Sequence, residues 1–352
     1  MTPKIFVGFT AITAVVVIAA GVSIAHRYQT ATYVPEKEPI FPAMNSKINE
    51  VTEISVEDKQ GKVLVARKGD QWVMPDRHDY PVSNEIVRDT LVGIAELKIL
   101  EPKTKRPALY TRIQVDDLSV EKSLAKHLIV KGKNGEPLAD ALIGRRNFDT
   151  TGLTDEGRYV RRSGEEQSWL VAGRFDMPDA IKKWVGKEFL DVDDKRVDTA
   201  TTTQPDGTKL IVKRAKQGET HFDVTNVPKG REVEYQIDVD NISDGIDKIE
   251  LEDVKQAGEV DFPKDKTIHT TYHTYDGLQV DVDIQGDDKT SIYWAKFKAS
   301  VAPDAQEADK AARQAEADKI NAAVSPWIYQ IPAFKYRYMS RRLDEVLKKL
   351  DS

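Results

Sequence analysis

The longest uncharged stretch of the chain constrains its fold more than any other feature. Residues 5–25, IFVGFTAITAVVVIAAGVSIA, are 21 residues without a charged side chain. A helix of this length rises about 32 Å, enough to cross a hydrocarbon core of ~30 Å. The sequence therefore predicts a single transmembrane helix, Ile5 to Ala25, within an anchor segment of residues 1–27.

A cleaved secretory signal is the alternative reading of this stretch. Lys4 gives it a short basic start, and it ends in the small residue Ala25, as a cleavage site would. Signal cores usually run only ~7–15 residues, so the length favours a retained anchor. The basic start favours a cytoplasmic amino terminus. We expect a single-pass protein of the bacterial inner membrane with most of its chain in the periplasm.

Composition excludes several classes of function. The chain of 352 residues has a formal net charge of −6, so a general nucleic-acid footprint is absent. It contains no cysteine, which removes disulfides, thiol catalysis and lipoprotein processing. Charge is uneven along the chain: residues 231–265 carry 12 acidic and 4 basic side chains, and residues 335–349 carry 6 basic and 2 acidic. We interpret the basic terminal segment as a solvated face; contact with anionic lipid is the alternative.

The chain after the anchor divides into a tether and two folded parts. Residues 28–47 are rich in proline and lack periodicity, which predicts an extended tether. Alternating strands and a turn at Asp58–Gly61 then predict a hairpin, and Ser83 or Asn84 can cap a helix with an apolar stripe. A further hairpin is predicted around Ser163–Gly164.

The pattern of the first half returns in the second half. Five positions recur at one constant offset: Tyr80, Val82, Val87, Leu91 and Ile94 are matched by Tyr235, Ile237, Ile242, Ile246 and Ile249. The segment Trp169–Val171 corresponds to Trp327–Tyr329. This predicts an A-B-A′-B′ duplication with lobes at 48–194 and 195–352, each an α+β arrangement of antiparallel hairpins with packed helices.

An insertion near 299–324 breaks the repeat. It is rich in Ala, Glu, Asp and Lys, and its only apolar stripe is Ala308, Ala312 and Ala315. Alanine buries too little surface for a tight coiled coil, so we expect a solvated helical arm; a partner-binding helix is the alternative.

The side chains that could bind a metal do not form a convincing set. His269 and His273 lie in an alternating run, where a strand places them ~13 Å apart, too far for a shared zinc ion. Acidic pairs occur at Asp191/Asp193, Asp238/Asp240 and Asp281/Asp283. The run Asp240–Gly245 begins like a calcium loop but has Ile242 at a ligand position. We interpret these residues as solvated strand and cap positions and assign no metal ligand.

We find no catalytic motif and no nucleotide-binding loop. Ser83, Ser163 and Ser168 lack the nucleophile elbow, although a triad assembled from scattered residues stays open. We assign no catalytic and no cofactor-binding residue, and we predict a protein that is not an enzyme and uses no cofactor.

The chain resembles the family known as domain of unknown function 4340. The resemblance rests on Gln71–Pro75 followed by Tyr80–Val82, on the helix and strand up to Glu101, and on Tyr159–Arg161. Members of that family carry one amino-terminal membrane segment and are commonly encoded beside ABC transport components of the gliding-motility type. The resemblance implies a non-catalytic periplasmic accessory or binding subunit whose partners are an ABC permease or ATPase, or another membrane protein. The alternatives are an envelope scaffolding protein without a transporter, or an envelope hydrolase.

Overall fold

The computed structural model describes residues 38–148, 157–186 and 188–349. Within these ranges the chain is a mixed α+β protein whose strands belong to two antiparallel sheets. No helix among the described residues combines the length and the apolar character that a membrane crossing needs. The predicted anchor at 5–25 lies outside the described residues.

Seven α-helices and seventeen strands are present in the described ranges. The helices are α1 Pro42–Lys47, α2 Asn84–Ala95, α3 Tyr110–Ile113, α4 Ile181–Val185, α5 Gln236–Asp240, α6 Glu307–Val324 and α7 Ala333–Ser340. The first nine strands are β1 Val51–Glu57, β2 Lys62–Lys68, β3 Gln71–Met74, β4 Tyr80–Pro81, β5 Lys98–Pro102, β6 Lys126–Gly132, β7 Pro137–Asn147, β8 Gly157–Arg162 and β9 Ser168–Ala172. The others are β10 Val197–Thr203, β11 Lys209–Lys213, β12 Asp223–Val224, β13 Asp253–Gln256, β14 Ile268–Thr274, β15 Leu278–Asp287, β16 Ile292–Val301 and β17 Trp327–Gln330.

Close backbone packing divides the chain into two compact units. Of the described residues, the first unit comprises 38–50, 92–127, 138–148 and 157–175, and the second comprises 51–91, 128–137, 176–186 and 188–349. Each unit is therefore built from segments that are distant in sequence. The lobe boundaries expected from the sequence, 48–194 and 195–352, stay a prediction.

Strand order repeats between the two halves of the chain. In the second unit one run is β3-β2-β1-β6 and another is β12-β11-β10-β14. The first unit contains the run β7-β8-β9-β5, and the second unit contains β15-β16-β17-β13. In each comparison the strands correspond one to one in chain order. This repeated order is what an A-B-A′-B′ arrangement requires.

Local signals in the sequence place several elements correctly. Asp58 closes the β1–β2 hairpin through its N–H, which donates to the Gly61 carbonyl at 2.9 Å. The Ser83 hydroxyl accepts from the Ile86 N–H at 3.4 Å at the start of α2, as an N-cap does. The hairpin turn after β8 is likewise confirmed by the β8–β9 pairing.

The core of the second unit is the larger one. The faces of β10, β11, β14 and β15 that alternate inward meet residues that follow α5, among them Ile242, Ile246 and Ile249. A smaller cluster fills the first unit, where Tyr110, Val115 and Leu142 are buried together. Period-two alternation along the strands produces these faces.

The expectation of an extended tether at 28–47 is wrong for residues 38–47, the part that the structure describes. Helix α1 covers Pro42–Lys47, and Ile40, Phe41 and Met44 are buried. The Ile40 N–H donates to the Leu97 carbonyl at 2.8 Å. Three apolar side chains on a short segment bury enough surface to fold it without any periodic pattern.

The expectation of a solvated arm at the insertion is also wrong. Helix α6 packs on the second unit through Ala317 and Val324, which are buried, whereas Ala308, Ala312 and Ala315 are exposed. Asn321 bonds both backbone groups of Ala299, with its Oδ1 accepting from N at 2.8 Å and its Nδ2 donating to O at 2.8 Å. The helix thus covers the part of the β16 edge beyond Trp294 and Ala295, where β16 pairs with β17. Counting apolar residues cannot detect this role.

Candidate functional site

The two suspect histidines lie on the outer face of a strand, as the sequence predicted. His269 and His273 belong to β14, and the residues between them alternate between buried and partly exposed. Nδ1 of His269 lies 2.8 Å from Asp283 Oδ1, and its Nε2 lies 3.6 Å from Asp281 Oδ1. These carboxylates raise the pKa of His269 to about 9. The group is an ion-pair ladder across β14 and β15.

The remaining acidic pairs are held by local partners. Asp193 caps the turn that follows it, accepting from the Lys195 N–H at 2.9 Å, and this bond lowers its pKa. Asp240 ends α5 and accepts from the Phe222 N–H at 2.9 Å. The rest of the calcium-like run is a turn followed by a 3₁₀ helix at Ser243–Gly245. In the described ranges no three His, Asp or Glu side chains are grouped so that they could hold a metal ion.

One Ser/His/Asp cluster does form in the first unit. Ser163 follows β8, His127 lies on β6 and Asp140 lies on β7. Asp140 Oδ1 is 2.7 Å from His127 Nε2, and Ser163 Oγ is 3.2 Å from the same nitrogen. Ser163 Oγ also donates to Asp140 Oδ1.

The connections in this cluster differ from those of a catalytic triad. A triad places its serine and its carboxylate on opposite nitrogens of the imidazole, so that the histidine can take the serine proton. Here both partners bind Nε2 of His127, and the Ser163 proton is directed to Asp140. This arrangement ties three strands together and does not activate Ser163. Ser168 is structural too, since its Oγ donates to the Thr104 carbonyl at 2.8 Å.

A further candidate site is an open recess in the second unit, which we call the Arg214 recess. Its volume is about 420 Å³. Its lining residues carry polar or charged side chains, glycine aside: Asp194, Lys195, Arg214, Gln217, Gly218, Glu219, Thr220, Asp240, Asn241 and Asp244. Four carboxylates face two cations, so the lining is net negative.

Arg214 is the buried anchor of the recess. Its Nη1 donates to the carbonyls of Asp194 at 2.6 Å and Val197 at 3.1 Å. Its guanidinium lies 4.2 Å from the centre of the Phe222 ring, within the range of a cation–π contact. Its Nη2 donates to the Ser243 hydroxyl at 3.4 Å, whereas its Nε is buried with no hydrogen-bond partner among the described residues. The residue is only 4% exposed. The guanidinium holds the 194–197 turn against the loop after β11.

Lys335 supports the recess beside Asp244. It is buried on α7, and its Nζ donates to the Asp244 carbonyl at 2.6 Å and to the Asp247 carbonyl. Burial lowers the pKa of Lys335 and raises the pKa of Asp244, which also lies close to the Asp194 carboxylate. The hydrogen bonds of Lys335 therefore fix the backbone of the acidic wall of the recess.

Sequence reasoning missed this recess, although one signal was available. Leu210, Val212 and Arg214 are all buried, at alternate positions along and just beyond β11. An arginine in the inward phase of a strand must find partners inside the protein. The acidic run at 231–265, which the sequence does show, supplies Asp240, Asn241 and Asp244.

The recess chemistry favours a polar partner. Pockets that hold organic ligands are lined mainly by apolar and aromatic side chains. No aliphatic or aromatic residue lines the Arg214 recess, and its polar groups are four carboxylates, two amides, one hydroxyl and two cations. A cationic or amide-bearing segment of another protein fits this surface better than an apolar small molecule.

The chain matches the model of the family described as domain of unknown function (DUF4340) over residues 72–271, which is 200 of its 352 residues. It belongs to that family. Neither a curated protein nor a solved structure matches it. The family resemblance seen in the sequence is thus confirmed at the level of the family.

Proposed function

We propose that this chain is a membrane-anchored periplasmic accessory or binding subunit of an ABC transport system, which acts without catalysis by recognising a partner protein. The observation that carries the proposal is the Arg214 recess, a fixed polar surface with a net negative lining. Rims of protein–protein interfaces are polar and solvent-accessible in the same way.

The transport setting follows from the family. Its members are commonly encoded beside ABC permease and ATPase components, and the uncharged segment at 5–25 would confine the chain to the same membrane. Confinement raises the effective concentration of a weak partner, so a modest recess is sufficient. The repeated strand order supports two related lobes that arose by duplication, of which the second carries the recess.

Affinity purification from native membranes tests this proposal. The full chain, with its amino-terminal segment and a carboxy-terminal tag, is solubilised in mild detergent. We expect an ABC permease or ATPase subunit to copurify. Repeated recovery of the chain alone would contradict the proposal, and recovery of cell-wall or scaffold proteins without a transporter would replace it with the scaffolding alternative.

A further inference from the structure

Two large apolar side chains at the start of α5 are exposed. Tyr235 is 59% exposed and Ile237 is 63% exposed. Glu232 and Glu234 are exposed just before them. Ile237 and Asn241 are one helical turn apart, with the Asn241 N–H donating to the Ile237 carbonyl at 3.0 Å. Ile237 therefore lies one helical turn before Asn241, which lines the Arg214 recess.

The residue of the first repeat that matches Tyr235 is covered, and Val82, which matches Ile237, is partly buried. Tyr80, which corresponds to Tyr235, is 5% exposed, and its ring meets Trp327 edge-on with centroids 4.9 Å apart. Close by, Arg77 binds Asp253 with both arms of its guanidinium, at 2.6 and 3.2 Å. All of these residues belong to the second unit. The first repeat thus shows what covers this position: neighbouring strands, β17 and β13, that carry an aromatic residue and a countercharge.

We propose that Tyr235 and Ile237 are the apolar anchors of a docking site for a separate protein, which presents a strand with an aromatic side chain and a Lys or Arg opposite Glu232. The positive charge expected on the partner follows from the repeat. Glu232 matches Arg77 of the first repeat, at the same offset that relates Tyr235 to Tyr80. The cation that binds Glu232 replaces the carboxylate that binds Arg77. This inference rests on the proposed function, since it names the kind of partner that the accessory subunit recognises.

Glu232 is available for such a partner. Its present contact is an ion pair with Lys348 at 2.6 Å, and both side chains are more than half exposed. Exposed ion pairs contribute little to the free energy of folding, so the pair with Lys348 does not prevent a partner cation from binding Glu232.

A second copy of this chain is the less suitable occupant. In a second copy, Lys98 matches Asp253 in the repeat and carries the positive charge that would pair with Glu232. The strands around Lys98, however, offer no free site. Trp169, which matches Trp327, is only partly exposed, and Val171, which matches Tyr329, is fully buried. The backbone beside Lys98 is already paired, because the N–H of Ile99 donates to the Glu38 carbonyl at 2.8 Å. A different protein is therefore the occupant that the geometry favours.

Site-specific photocrosslinking in native membranes tests the inference. A benzophenone amino acid replaces Tyr235 or Ile237 in the full chain, and Phe334, also an exposed aromatic residue of the second unit, is the control position. We expect one larger product at 235 and 237 and none at 334. Mass spectrometry should place the attachment in a partner segment that carries an aromatic residue and a Lys or Arg. The double variant Glu232→Lys, Glu234→Lys should reduce the yield about tenfold or more, because like charges then oppose each other.

Several results would overturn the inference. Attachment to a second copy of this chain, to lipid, or to a segment without a cation would do so. Absence of product at 235 and 237 would also do so, even if affinity purification still recovers a transporter, which would leave the proposed function intact. A product of the expected chemistry on a protein unrelated to transport would support the docking site while contradicting the transport assignment. Unchanged thermal unfolding of the double variant excludes misfolding as the cause of a lost product.

Discussion

Tyr80 and Tyr235 hold matching positions in the two repeats but have opposite environments. Burial raises the pKa of Tyr80 to about 12, whereas Tyr235 is mostly in solvent. We expect Tyr80→Ala to lower the free energy of unfolding by about 3–5 kcal/mol, as loss of a buried aromatic does. Tyr235→Ala should change it by less than about 0.5 kcal/mol. Urea denaturation of both variants measures this contrast, and equal losses would contradict it.

The contributions of Arg214 and of its neighbour Lys195 to stability can be compared in the same way. Arg214→Met leaves the carbonyls of Asp194 and Val197 without their buried donor, which should cost about 2–4 kcal/mol of stability. Lys195→Met is the matched control, because Lys195 lines the same recess but is exposed. Chemical denaturation should show a stability change below about 0.5 kcal/mol for the control. A stable Arg214→Met variant would show that the guanidinium does not hold the recess together.

His269 gives a pH dependence with a definite sign. Its pKa is about 9 in the folded chain and near 6.5 when unfolded, because Asp281 and Asp283 stabilise the imidazolium. The resulting stabilisation is fully present below pH 6.5 and is lost as the pH rises through 9. The stability difference between wild type and His269→Gln should therefore be larger at pH 6 than at pH 10. A difference that does not change with pH would mean that the histidine titrates near its ordinary pKa.

At the scale of elements, the packing of α6 against β16 depends on the side-chain amide of Asn321. Asn321→Ala removes both hydrogen bonds to the edge of β16 and should destabilise the chain by about 1–3 kcal/mol. Gln314→Ala is the control on the same helix, since Gln314 is exposed and bonds only Asp318. Hydrogen exchange at the Ala299 amide should speed up in the first variant and not in the second. Equal protection in both would contradict the edge-covering role.

The sequence predicted the secondary-structure elements better than the tertiary contacts between them. Period-two and helical patterns located the strands and α2, and the constant offset at Tyr80 and Tyr235 located the repeat. The docking of α6 was missed because it uses Asn321 and small contacts at Ala317 in place of an apolar stripe. The Arg214 recess was missed because its walls come from segments 19 or more residues apart, and no local pattern brings them together.

At the scale of the whole molecule, the structure combines a repeated α+β architecture with a polar surface on the second repeat, and the proposed function adds confinement to the membrane. The family supplies the expected setting, and the recess supplies a place where a partner can bind. Exposed carboxylates on such a surface chiefly set partner choice and association rate. The recess, and not the sheets as such, is therefore the part of the chain in which function should be sensitive to charge.

Partner recovery with the recess charge reversed tests this account most directly. Glu219→Lys changes an exposed wall residue, and Glu307→Lys reverses an equally exposed carboxylate on α6 as the control. In affinity purification from native membranes, we predict about a tenfold loss of the copurifying permease or ATPase for Glu219→Lys. The control should retain it at the wild-type level. Undiminished recovery with Glu219→Lys would contradict the claim that the Arg214 recess recognises the partner.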